Sequence, residues 1–96
     1  MINGDVNEFI NHMYYGDELI FLYKNRKLFF QGLTDEQFRY LELVQWEPEV
    51  KTDEEFFMWK SKCNLSEPYP VKEFLEAKIF DGKSFWEVEQ EITWID

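Results

Sequence analysis

Glu18-Leu19-Ile20-Phe21-Leu22-Tyr23-Lys24-Asn25-Arg26-Lys27-Leu28-Phe29-Phe30 is the stretch that decides the fold. Side chains alternate across an extended chain, so Leu19, Phe21 and Tyr23 fall on one face and Ile20 and Leu22 on the other. Asn25-Arg26 is predicted as a short turn, with Leu28, Phe29 and Phe30 returning as the second arm of a hairpin. The polar run from Gly32 to Gln37 predicts a connection. A third strand is expected from about Phe38 to Trp46, where Leu41 and Leu43 alternate with Tyr40, Glu42, Val44 and Trp46. Pro48 ends it, because proline has no N–H to give to a ladder. Beyond an acidic loop, Glu47 to Glu55, a fourth strand is expected over roughly Glu55 to Ser61, with Phe57 and Trp59 opposite Phe56 and Met58. Both faces of these strands are rich in apolar residues, which predicts a sheet covered in part on both sides or one that meets a partner.

Helical spacing flanks the strands. Val6, Phe9, Ile10 and Met13 follow the i, i+3, i+4, i+7 rule, Asp5 and Glu8 resemble a capping box, and Gly16 is placed to stop the helix. Pro68 and Pro70 bracket Tyr69 and introduce a helix with Val71, Phe74, Leu75 and Ile79 on one side; Pro70 suits a first turn, where its missing N–H is not needed. Asp81-Gly82 turns the chain. Ser84 and Glu87 then form a second capping-box signature, and Phe85, Val88, Ile92 and Ile95 make a helical stripe. Val88, Gln90, Ile92 and Trp94 also alternate, so a strand competes there, but the cap and the glutamates favour helix. The expectation is one α+β domain over residues 1–96: a four-stranded antiparallel meander with an N-terminal helix and two C-terminal helices.

Composition narrows function by exclusion. The 96 residues hold twenty Asp and Glu against ten Lys and Arg, a net charge of -10, and ten Phe, five Tyr and four Trp. A chain of this mass has an unfolded surface of roughly 17,000 Å² and a folded one of about 6,000 Å², hiding about 11,000 Å². The aromatic side chains, at about 200 Å² each, need only about 4,000 Å² of that, so they fit inside. Acidity at this density argues against nucleic acid and anionic membranes, which need a positive footprint. Cys63 is the only cysteine, so no intrachain disulfide is possible. The acidic stretch Met1 to Asp17 and the short apolar runs predict neither a signal peptide nor a membrane span, and hence a cytoplasmic protein, monomeric or a small homo-oligomer.

Chemical motifs are few. Ala77-Lys78-Ile79-Phe80-Asp81-Gly82-Lys83-Ser84 fits a relaxed phosphate-loop pattern, but a working loop follows a buried strand and opens a helix on a parallel sheet. Here the preceding segment reads as helix and Ile79 and Phe80 obstruct close approach, so a helix connection with Ser84 as N-cap is the better reading. His12 and Cys63 make a catalytic pair only if they touch and a third group orients them. One Cys and one His do not make a zinc site, and no cofactor or metal is expected. From Ser84 to Asp96 there are four acids and no base. Glu87 and Glu91 share a helix face at i, i+4, at a cost of a few tenths of a kcal/mol that a cationic partner would relieve. Trp86 lies off the apolar stripe.

Gly16-Asp17-Glu18-Leu19-Ile20-Phe21-Leu22-Tyr23, Phe29-Phe30-Gln31-Gly32, Leu43 to Trp46, and Lys78 through Glu87 are together similar to small acidic uncharacterised proteins of Firmicutes, a resemblance that spans most of the chain. In size and acidity the chain also resembles immunity proteins that neutralise polymorphic toxins, which implies an inhibitor and carries over no residue roles. The expected function is a non-enzymatic domain that binds a basic protein partner through Trp86, Glu87, Glu91 and Trp94. The alternative is a small-ligand binder with Tyr40, Trp46, Phe57 and Trp59 lining a pocket between sheet and helices.

Overall fold

The computed structural model describes every residue from Met1 to Asp96. Helix α1, Val6–Tyr14, opens where expected: the Asp5 carboxylate accepts from the N–H groups of Asn7 (2.7 Å) and Glu8 (3.3 Å). Gly16, at φ +73°, takes the left-handed conformation that ends it. Strands β1, Leu19–Tyr23, and β2, Arg26–Thr34, form the hairpin, with Lys24-Asn25 rather than Asn25-Arg26 as the two-residue turn. β2 runs through Gly32 to Thr34, where a connection was expected, because these residues pair with Leu41, Tyr40 and Arg39 of β3, Phe38–Glu47. The loop shrinks to residues 35–37, closed by Asp35 accepting from the Gln37 and Phe38 N–H groups.

β3 stops before Pro48 as predicted. Inside the acidic loop a single helical turn, α2, Asp53–Phe56, is capped by the Thr52 hydroxyl, and β4, Phe57–Asn64, leads away from it. Helix α3, Val71–Glu76, is shorter than its apolar spacing; Ile79 lies beyond its end yet still packs against the core.

The C-terminal expectation is corrected. α4 is one turn, Phe85–Val88, with the Ser84/Glu87 capping box in place; a 3-10 turn, Glu89–Glu91, follows, and Ile92–Trp94 forms a fifth strand, β5. Phe21, Leu22 and Tyr23 of β1 pair with Trp94, Thr93 and Ile92, so backbone groups on the open edge of the hairpin are satisfied by strand rather than helix. The sheet is antiparallel with five strands in the order β4-β3-β2-β1-β5. Ile2 covers the outer edge of β5 with a parallel bridge to Thr93.

One face of the sheet carries the core. Phe9 and Met13 of α1, Val71, Phe74 and Leu75 of α3, and Phe85 and Val88 of α4 pack on Leu19, Phe21, Tyr23, Leu28, Phe30, Leu41 and Leu43. Rings meet edge to face, as Phe9 does with Phe21 at 5.4 Å, or nearly parallel, as with Phe85 at 6.1 Å. Tyr69 seats the α3 segment: its ring lies where a Cβ on Gly16 or Gly32 would stand, and its hydroxyl is 3.1 Å from the Thr34 hydroxyl. The folded surface, 5982 Å², matches the scaling expectation.

Candidate interaction surfaces

Three of the four expected partner-binding residues lie at the surface. Trp86 is 52% exposed, resting one edge on Phe85 at 5.6 Å. Beside it, Glu87 accepts from the Ser84 N–H at 3.1 Å, which holds its carboxyl below the usual range, with Lys78 3.8 Å away as a weaker aid. Glu91 is exposed in the 3-10 turn, whereas Glu89 is half-buried and 2.9 Å from the Met1 ammonium. Trp94 is turned to the core side, edge-on to Phe9 (5.1 Å) and His12 (5.6 Å), with its indole N–H buried and unpartnered. Trp86 and Glu87 are thus together on α4, and Trp94 is spent on packing.

The residues proposed for a ligand pocket do not converge on a cavity. Trp59 packs on Phe74 inside the core side, the Tyr40 hydroxyl donates to Asp35, Trp46 stacks on Phe29, and Phe57 lies under the Lys60 ammonium. The only hollow, about 280 Å³, is open and lined by Asp35, Glu36 and Gln37.

Chemistry-bearing side chains are likewise dispersed. His12 Nδ1 is 2.7 Å from Asp17 and its ring leans on Trp94 of β5, while Cys63 sits in β4. Neither meets the other: the imidazole pairs with Asp17 and the thiol donates to the Pro68 carbonyl, so no nucleophile and base are in contact. Burial, then the nearby Glu67, raises the Cys63 thiol above its ordinary pKa, so it stays protonated at neutral pH. Between Ala77 and Ser84, Phe80 is fully buried and bridges Lys83 across an Asp81-Gly82 turn, which leaves no backbone cradle for phosphate. No three His, Cys, Asp or Glu side chains converge as metal ligands. No helix is long and apolar enough to cross a membrane.

The apolar residues expected on both faces of the strands do line the second face of the sheet. Antiparallel sheets with one covered face usually turn polar residues outward. Here the outward row reads Ile20, Phe29, Val44 and Phe57, direct cross-strand partners on β1, β2, β3 and β4. Ile95, whose N–H donates to the Ile20 carbonyl, extends it past β5. Phe29 and Val44 are buried yet belong to no helix-side cluster; Trp46, 41% exposed, lies flat over Phe29 at 4.4 Å and 19°. The band therefore seals itself with its own side chains instead of a second layer. Polar groups border it: Gln31 donates to Glu42 in the next row, and Lys60 and Lys62 fold over Phe57 and Phe38 at 4.5 and 4.3 Å.

The loop after Trp46 borders the same end of the band, leaving from β3 and returning at Phe57. Glu47, Glu49, Asp53, Glu54 and Glu55 are all exposed there, against the single ammonium of Lys51. Alternation on both faces of β1 to β3 was the signal for the band, but β-sheet register, which aligns the row, lies outside what spacing shows. Compared with known proteins, the chain matches no family model, no curated protein and no solved structure.

Proposed function

We propose that this chain is a non-enzymatic, cytoplasmic interaction domain that binds a basic protein and occludes its working surface, in the manner of an immunity-type inhibitor. The observation that supports it best is that two tryptophans, Trp46 and Trp86, stay 41% and 52% exposed on a chain with twice as many acids as bases. Tryptophan holds a large rigid surface at low entropic cost, which is why it dominates interface hot spots. A net charge of -10 accelerates encounter with a cationic partner and repels polyanions. The dispersed His12 and Cys63 and the pocketless core side give an enzyme or a ligand binder no comparable support.

Immobilised full chain, exposed to lysate of the source cell at low and high salt, tests this. The reading expects a protein of basic pI that is retained at low salt, released by salt, and rebinds when purified. Retention of only neutral or acidic proteins, or rebinding indifferent to salt, contradicts it.

A further inference from the structure

Resting on that reading of a basic partner, we infer that the partner docks on the helix-free face of the sheet, with Trp46 and the row Ile20, Phe29, Phe57 as its apolar seat and the acidic loop 47–55 as its electrostatic clamp. Contiguous exposed apolar surface rimmed by polar groups marks interaction sites on soluble proteins. On this face the exposed part is Trp46, at 41%, lying over the buried Phe29 with half-buried Ile20 and Phe57 in the same cross-strand row, whereas Trp86 has only Phe85 beside it.

Charge selects the occupant. A second copy would bring another net -10 and a second acidic loop to the same face, so self-association is opposed where the apolar band favours it. Five exposed carboxylates against one ammonium at the loop end suit lysines or arginines set around an apolar protrusion. Farther along β4 from its loop end, the Lys60 and Lys62 ammonium groups lie over the Phe57 and Phe38 rings and present positive charge. A basic partner is therefore drawn to the loop end, where β3 ends and β4 begins, and away from the lysines farther along β4, which fixes its orientation as well as its place. The same lysines guard β4, an exposed edge strand, against pairing with its own copy, since in-face antiparallel registers centred on Lys60, Ser61 or Lys62 set lysine opposite lysine or close to it.

The test uses the isotopically labelled full chain and a short synthetic amphipathic peptide with arginines on one side and leucines on the other. At low salt, saturable shifts are expected at Ile20, Phe29 and the Trp46 indole N–H. Trp46→Ala should weaken binding about tenfold, the loss of one hot-spot anchor, and Tyr15→Ala, at an exposed ring outside the row, should leave it unchanged. Glu49→Lys with Glu54→Lys, both exposed in the loop, should weaken binding and flatten its salt dependence without touching the apolar seat. Shifts that gather instead at Trp86, Glu87 and Glu91 overturn the docking face and leave the basic-partner reading standing. Absence of saturable binding at low salt overturns both. Concentration-dependent shifts of the band without peptide identify a second copy as occupant and overturn the inference.

Discussion

Gly32 and Gly82 separate two reasons for glycine. A Cβ on Gly32 would stand 2.7 Å from the Gly16 Cα and 2.9 Å from the Tyr69 ring, while one on Gly82 meets nothing within 4 Å. Gly82 instead follows Asp81 in a turn with φ of +82° and +56°, the pairing that Asp-Gly suits. Gly32→Ala should therefore cost about 3 kcal/mol, because backbone cannot yield as a side chain does. Gly82→Ala should cost only about 1 kcal/mol of left-handed strain. Chemical denaturation of the two variants checks this, and a larger loss at Gly82 would reverse the steric account. The Gly82 turn was legible as Asp81-Gly82 and Gly16 as a helix stop, but the Tyr69 slot at Gly32 depends on residues 16, 32 and 69 meeting in space.

The C-terminal segment shows where element-scale reading runs out. Ser84 and Glu87 specified a helix start correctly, and nothing in that motif specifies length. Ile92 satisfies both the helical stripe with Phe85 and Val88 and the alternation with Gln90 and Trp94, so local pattern left the choice to tertiary pairing with β1. By contrast α1 and the β1–β2 hairpin were legible, since Asp5, Gly16 and the alternation from Leu19 to Tyr23 agree with one another. Glu87→Ala removes the reciprocal cap and should lower the thermal midpoint. Trp86→Ala, one residue away on the exposed side, should change stability by less than about 0.5 kcal/mol. Thermal unfolding of both separates a structural glutamate from a tryptophan that the fold does not need; equal losses would place Trp86 in the fold instead.

For the whole molecule, pH acts through carboxylates held down by hydrogen bonds. Asp35 is lowered first by the Phe38 N–H, then by that of Gln37 and the Tyr40 hydroxyl; Asp81 is lowered first by Lys24 and then by Arg26. Each folded group binds its proton less readily than the unfolded one, so its contribution is complete above the ordinary carboxylate value of about 4 and is lost as pH falls through the lower folded value. The Lys24 ammonium, raised chiefly by Asp81, contributes in full below its ordinary pKa, and that part is lost as pH rises through the folded value. Thermal midpoints should fall below about pH 4, and Asp81→Asn should flatten the decline at both the acid and the alkaline end. An unchanged acid limb in Asp35→Asn and Asp81→Asn together would remove these two turns as its cause.

At this scale the sequence carried acidity and aromatic excess plainly, but not their arrangement. Eight of the nineteen rings are buried and seven, Trp94 among them, are half-buried, while Tyr14, Tyr15, Trp46 and Trp86 stay exposed. Trp46 lies over a row, next to the acidic loop, that became visible only with the register Ile20, Phe29, Val44, Phe57. The most direct test compares, by calorimetry on the full chain, the arginine–leucine peptide with its counterpart in which every arginine is glutamate. The account predicts saturable binding of the cationic peptide, weakened by salt, and none of the anionic one. Equal affinity for the two would contradict it, because the surface would then select partners by apolar contact alone.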